Sequence, residues 1–283
     1  MLPVNYHMHS RYCDGQGEIE DYVQDAIRRG MTSIGTSSHA PVPFPNTYTV
    51  RPEMLAAYVA EIQRLQVAYS GQIEFGMALE VDVIPGLQEH FMTNVVPYNF
   101  DYFIGSVHHI GIDPTNGDPW EFDAGADNFA AGWHDIYNEN IRAMVAEFYG
   151  RERLVPGYIP GIAIVGHMDR IKRFNYNNRY FGEQDQWYRD EVEATLQSYA
   201  TSDIIVELNT AGWRTPTADA FPSDWIVQRC HELGIRMNIN TDAHSPIYLQ
   251  SDHDRAIARL QTAGYREIWV RRNGQWVGEL LPA

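Results

Sequence analysis

The stretch VNYHMHSRYCDG, residues 4–15, sets two histidines one residue apart at the end of a short apolar run, with an aspartate close behind. In an extended chain alternate side chains point the same way. His7 and His9 can therefore reach one point while Met8 turns from it. The triplet DAH at residues 242–244 has the same form near the other end of the chain. If the two triplets end neighbouring strands, their imidazoles and carboxylate converge. In a closing barrel the first and last strands are neighbours, so there the two triplets can converge.

The chain between the triplets alternates in the way that reading requires. Short β-branched or apolar runs lie at 4–8, 33–36, 73–79, 102–107, 162–165, 204–208 and 237–239. Segments of helical period separate them at 18–29, 54–69, 126–148, 184–200, 224–233 and 252–263. In the second of these, Leu55, Tyr58, Val59, Ile62, Leu65 and Tyr69 share one face. Asp224 and Asp252 suit helix N-caps, and Gly30, Gly234 and Gly264 suit helix stops. Asn273-Gly274, between two apolar runs, signals a terminal hairpin. Strand and helix in alternation imply a parallel sheet with crossover helices. Seven units favour a closed or nearly closed barrel over a doubly wound open sheet, and 283 residues fit one such domain over 1–283.

Every expected strand delivers a polar or metal-liking residue at its C-terminal end. These are His7 and His9, then His39, Glu80, His108 and His109, His167 and Asp169, Asn209 and Arg214, and finally Asp242 and His244. Asp14 follows the first strand closely. Each alone has an ordinary explanation: a surface histidine, a turn aspartate before glycine, a solvated carboxylate. Seven successive strand ends on the catalytic rim of a barrel do not share such an explanation. Mixed imidazole and carboxylate donors suit Zn, Mn or Fe, and the donors are too many for one ion. A multinuclear centre of two or three divalent metal ions is expected.

The bulk properties bound the rest. A net charge of −16 disfavours nucleic acid and anionic membranes as partners, because both select basic surfaces. No apolar run approaches the roughly 18 residues of a membrane span. The N-terminus lacks the pattern of a secretory signal. Two cysteines far apart, Cys13 and Cys230, are read as reduced thiols of a cytoplasmic protein. Nothing in the composition indicates the oligomeric state.

The motifs HMHS with Asp14-Gly15, SSHAP, LEVDVIPG, GSVHHI, WEFD, GHMDRIKRF, NTAGWRTP and TDAHSP, taken in order, resemble the PHP family of polymerase and histidinol phosphatase domains. They are most similar to its histidinol-phosphatase branch. The resemblance implies an α/β fold, a distorted (β/α)7 TIM-like barrel with the metal site at the C-terminal ends of the strands. It implies metal-dependent hydrolysis of a small phosphorylated substrate, histidinol phosphate in histidine biosynthesis. It also implies a first metal held by His7, His9, Glu80 and Asp242, with Glu80 bridging to a second. His108 and His167 would complete that second site, and Asp14, His39 and His244 would hold a third. Arg173 and Arg214 match the positions that grip substrate phosphate, where a guanidinium fork meets phosphate oxygens in pairs. His244, Asp242 or metal-bound water is the candidate proton donor to the leaving alcohol.

His109, next along the strand from His108, should face away. Tyr12, Trp120, Phe122, Asp169 and Trp213 are candidate walls of the organic pocket. Arg173 competes with a plain surface role in a basic cluster with Arg170 and Lys172. Rival activities are a PHP phosphoesterase acting on another small ester, a metal-dependent amidohydrolase, or a non-catalytic PHP module.

Overall fold

The computed structural model describes residues 4–282. Seven parallel strands form the central sheet: β1 (Val4–Asn5), β2 (Ser33–Thr36), β3 (Glu74–Asp82), β4 (Tyr102–Ser106), β7 (Ile162–Val165), β8 (Ile205–Asn209) and β9 (Arg236–Asn240), adjacent in that order. Between β4 and β7 the chain makes a small antiparallel hairpin, β5 (His109–Ile112) with β6 (Pro119–Glu121). The helices α1 (Ile19–Arg28), α2 (Leu55–Ala68), α3 (Gln88–Asn94), α4 (Ala126–Asp135), α5 (Ile141–Glu152), α6 (Gln186–Ala200), α7 (Asp224–Glu232) and α8 (His253–Ala263) fall between the strands. On α2 the expected face is buried from Leu55 to Leu65, with Tyr69 half-buried at its end.

Seven parallel strands in a nearly closed barrel is the expected architecture, and its seam lies between β1 and β9. The two strands share no ladder. Past their ends, however, Met8 bridges Ala243: His9 N donates to Ala243 O at 2.9 Å and Ala243 N to His7 O at 3.3 Å. Buried amide side chains complete the seam. Asn240 Oδ1 accepts from Tyr6 N at 2.8 Å, and Asn5 Oδ1 from Thr241 N at 3.0 Å. The HMH and DAH triplets thus lie side by side, as their shared form required.

The opposite mouth is filled. Tyr102 leans across Gly35 and Gly76, where any Cβ would meet its ring or hydroxyl, and donates to Tyr6 O at 2.8 Å. The terminal hairpin, β10 (Glu267–Arg272) with β11 (Gln275–Leu280), turns at Asn273 and Gly274 with positive φ at both, as the Asn-Gly pair demands. Its Trp276 ring packs 5.0 Å from Tyr6 and 5.4 Å from Tyr102.

Two local expectations fail. The segment 126–148 is two helices, broken where Asn138 and Glu139 take positive φ; Asn140 then caps α5 by accepting from Ala143 N. Asp224 is not a cap, since Ser223 holds that position; Asp252 does sit at the N-cap of α8, in a left-handed conformation and without a side-chain capping bond. The helix stops hold: Gly30, Gly234 and Gly264 all have positive φ.

Candidate metal centre

Glu80 is the hub. It sits near the end of β3, buried, with its two carboxylate oxygens facing different sets of imidazoles. Oε2 lies 3.2 Å from His7 Nε2, 3.4 Å from His9 Nε2 and 3.2 Å from His39 Nδ1. Oε1 lies 3.1 Å from His167 Nε2 and 3.6 Å from His108 Nε2. Ser106 Oγ donates to Oε1 at 2.5 Å and fixes the carboxylate plane. The parallel bridge between His39 and Glu80 explains why the second and third strand ends meet.

From β9 the chain turns at Asp242, which brings its Oδ1 to 3.0 Å from His9 Nε2 and 3.6 Å from His7 Nε2. Towards the open side, His244 Nε2 lies 3.2 Å from Asp14 Oδ2, while Asp14 Oδ1 is 3.7 Å from His9 Nδ1 and 3.9 Å from His39 Nε2. The His9 and His244 rings stack at 4.1 Å. Two residues of the cage, His167 and Asp242, have φ of 22° and 49°. A non-glycine residue is strained there, and such strain gathers where surroundings over-determine a side chain's aim.

The donors fall into four groups: His9, Asp14, His39 and His244; His7, His9 and Asp242; His7, Glu80 and His167; His39, Glu80 and His108. Among the described residues, three atoms that face one another in this cage, His7 Nε2, His9 Nε2 and Glu80 Oε2, are buried without a hydrogen-bond partner. His108 Nε2 and His167 Nε2 face each other at 3.2 Å. Buried polar atoms are otherwise almost always paired. Converging lone pairs left over in this number fit divalent cations.

The fields agree. Burial opposes charge on Glu80, but the imidazoles of His7, His39 and His108 outweigh it and hold the carboxyl well below its usual range. The same contest, burial against His7 and His9, keeps Asp242 ionised. Burial pushes His39 down to about 3 and lowers His167, leaving both neutral and able to donate electron pairs.

Glu207, inside β8, was not foreseen. Its Oε2 accepts from His7 Nδ1 at 2.9 Å, and its remaining capacity takes up His167 N, Asn209 Nδ2 and Asn240 Nδ2 at 2.8, 2.7 and 2.8 Å. It thereby fixes the His7 tautomer with Nε2 aimed at Glu80. The signal was present in VELN, where Glu207 and Asn209 share a strand face, but the stretch reads as an apolar strand with a polar end.

The cage opens into a cleft of about 410 Å³ whose walls include Arg173 and Arg214. Arg214 is held by Thr241 O at 2.7 Å and lies over the Tyr248 ring at 4.8 Å. Arg173 Nη1 reaches Asp123 O at 3.2 Å, and its Nε is buried without a partner. Arg170 is also at the site, between Asp123 and Asp242 Oδ2, the latter at 3.4 Å. Lys172 is not: it turns into the protein towards Asp169, Asp219 and Ser223.

Of the expected organic walls, Tyr12, Phe122, Asp169 and Trp213 do not line this cleft, and Trp120 stands in the recess beside it; Tyr48, Glu121, Asp123, Phe221 and Tyr248 do line it. Asp169 is buried against Lys172 with its pKa pushed up by burial to about 6. Trp213 instead packs under Arg255. His109 faces away from Glu80, as expected, and bonds Asp82.

Residues 5–211 match the PHP domain family model. A "Probable histidinol-phosphatase" of Deinococcus radiodurans is 28% identical over 272 residues, 94% of this chain and 95% of that protein. The histidinol-phosphatase of Bacillus subtilis is 24% identical over 260 residues, 84% of this chain and 92% of its own. In three dimensions the chain is similar to the Lactococcus lactis histidinol phosphate phosphatase, whose crystal structure holds zinc, L-histidinol and phosphate. The TM-score is 0.74 at 20% identity, over 97% of this chain and 98% of that one.

Proposed function

We propose, from the premise that this chain belongs to the PHP domain family, that it is a metal-dependent phosphatase converting L-histidinol phosphate and water to L-histidinol and phosphate. The observation that carries the reading is the divided coordination of Glu80, one oxygen for each imidazole set, opening onto a cleft with two arginines. The matched histidinol-phosphatases support the substrate.

Two or three Zn, Mn or Fe ions fit the cage. His7, His9, Glu80 and Asp242 would hold one, Glu80, His108 and His167 a second, and Asp14, His39 and His244 a third. When bound, the ions supply Lewis acidity, drawing charge from phosphoryl oxygens and lowering the pKa of water. The residues do the rest. Arg173 and Arg214 take phosphoryl oxygens through their guanidinium forks, and the buried cage keeps bulk water from the reacting phosphorus. Water adds to phosphorus opposite the alcohol oxygen as the bond to that oxygen breaks. Asp242 accepts rather than donates, because Arg170 and Asn209 face its second oxygen. His244, counted here as a ligand, has no ring nitrogen left for an acid's role, since Nδ1 faces Asp242 O at 3.1 Å; the proton lost by the attacking water passes to the departing alcohol oxygen.

One domain over 1–283 is supported by the terminal hairpin's packing under the barrel. Both cysteines are free, which supports a reducing, cytoplasmic setting. Among the described residues no helix is long and apolar enough to cross a membrane.

Steady-state rates on histidinol phosphate against sugar phosphates and nucleotides test the substrate. A clear preference for histidinol phosphate is expected; equal rates across the panel would remove the substrate while leaving the reaction. Elemental analysis of protein purified without chelator should find about three transition-metal ions per chain.

A further inference from the structure

The WEFD segment, residues 120–123, enters the cleft without belonging to the cage or to the arginine pair. On this strand end alternate residues share a face, and both Glu121 and Asp123 line the cleft. Their situations differ. Asp123 is spent as a charge: Arg170 and Arg173 both pair with it, and together with His108 they hold it ionised despite complete burial. Glu121 is half-buried at the same wall, opposite His109 in the β5–β6 ladder, and among the described residues makes no ion pair; its backbone carbonyl accepts from Asn128 Nδ2 at 2.6 Å. Asp123 and Asp82 oppose its ionisation, and His109 and His108 favour it.

Glu121 also stands at a junction. Behind it opens a second recess of about 270 Å³, which shares Tyr48, Glu121 and Ala124 with the main cleft and is walled by the aromatic rings of Phe44 and Trp120. The cleft is therefore polarised. Its guanidinium wall, Arg173 and Arg214, suits a dianionic phosphate, and its other wall presents Glu121 beside a recess that His109, Asp113 and Asp118 line along with the two rings.

We propose that Glu121 is the specificity-determining residue for the organic half of the substrate, receiving that half's positive charge while the recess takes its ring. The proposal rests on the phosphatase reading and adds to it. A carboxylate there rewards a phosphate ester whose alcohol carries an ammonium or imidazolium, and it repels esters whose alcohol carries another anion. Burial, followed by Asp123, raises the pKa of Glu121; a bound cation relieves both effects, so the ligand completes a pair that the protein leaves half-made.

The experiment compares L-histidinol phosphate with glycerol 3-phosphate, a monoester of a neutral alcohol, on wild type and on Glu121→Gln. The ratio of kcat/KM between the two esters should fall at least tenfold in the variant, with the loss in KM rather than kcat. Inhibition by the product L-histidinol should weaken in parallel, while inhibition by inorganic phosphate keeps its strength. Glu121→Asp, which retains the charge, should restore most of the ratio. An unchanged ratio in Glu121→Gln, or equal loss on both esters, overturns the role of Glu121 alone. A wild type inactive on both esters overturns the phosphatase reading and this proposal with it.

Discussion

At the residue scale, the cage was legible because strand periodicity is strict. HMH and DAH each commit two side chains to one side, and their neighbours Met8 and Ala243 pair directly. Glu207 escaped because a carboxylate inside an apolar strand has no turn or motif to mark it. Its role yields a sharp expectation. Glu207→Gln keeps the shape but weakens the hold on His7 Nδ1. Metal affinity should fall about 10- to 100-fold, the usual cost of losing such a partner, as read by competition with a chromogenic chelator. A second buried carboxylate lies away from the site. Glu152 accepts from Tyr199 Oη at 2.7 Å, but its Oε1 has no partner, and burial raises its pKa well above the usual value of 4.5. An acid raised in the folded state favours folding below its unfolded pKa and loses that contribution as pH climbs through the folded value. Glu152→Gln should therefore match wild type near pH 4. It should gain stability above pH 4.5, by about 1.4 kcal/mol per pH unit until the folded pKa is reached. Urea midpoints at pH 4 and pH 8 check this, and equal midpoint differences at both would refute it.

At the element scale, the strands were legible and one helix boundary was not. Periodicity carried 126–148 as a single helix because no proline or glycine marks the break; the chain turns instead on Asn138 and Glu139, and asparagine tolerates positive φ better than most residues. The consequence reaches the cleft. As a short separate helix, α4 presses Gly132 against the Trp120 indole, where an added Cβ would meet the ring at 2.0 Å. The same helix supplies Asn128, whose Nδ2 holds Glu121 O. Gly132→Ala cannot be absorbed without moving β6. A destabilisation of about 1–3 kcal/mol is expected from overpacking, together with a shift in KM for histidinol phosphate larger than that for inorganic phosphate inhibition. Urea unfolding and inhibition kinetics separate the two effects. A variant as stable as wild type would mean that Trp120 yields freely.

At the scale of the whole molecule, a barrel was legible but its seam was not. Pattern alone does not separate a closed barrel from an open sheet, because the deciding bonds come from Asn5 and Asn240, buried amides that a sequence shows as ordinary polar residues. The seam is thin in backbone bonds, and the cage straddles it: His7 and His9 come from one side, Asp242 and His244 from the other. Cations bound there tie the first strand to the last, and binding to the folded state alone stabilises it by about 2.7–4.1 kcal/mol per ion at 100–1,000 times Kd. In chains of this size a kilocalorie moves Tm by roughly 2–4 °C. Stripping the ions with a chelator should therefore lower Tm by at least about five degrees for each ion lost. Because the tie is local, the loss should not spread evenly. Amide hydrogen exchange at His9 and Ala243, whose bonds close the rim, should accelerate more than exchange in β3 or β4, which pair on both sides. Re-addition of Zn or Mn should restore both. Equal exchange with and without chelator at these two amides would show that the seam stands on its amides alone, and that the cage contributes to chemistry without contributing to closure.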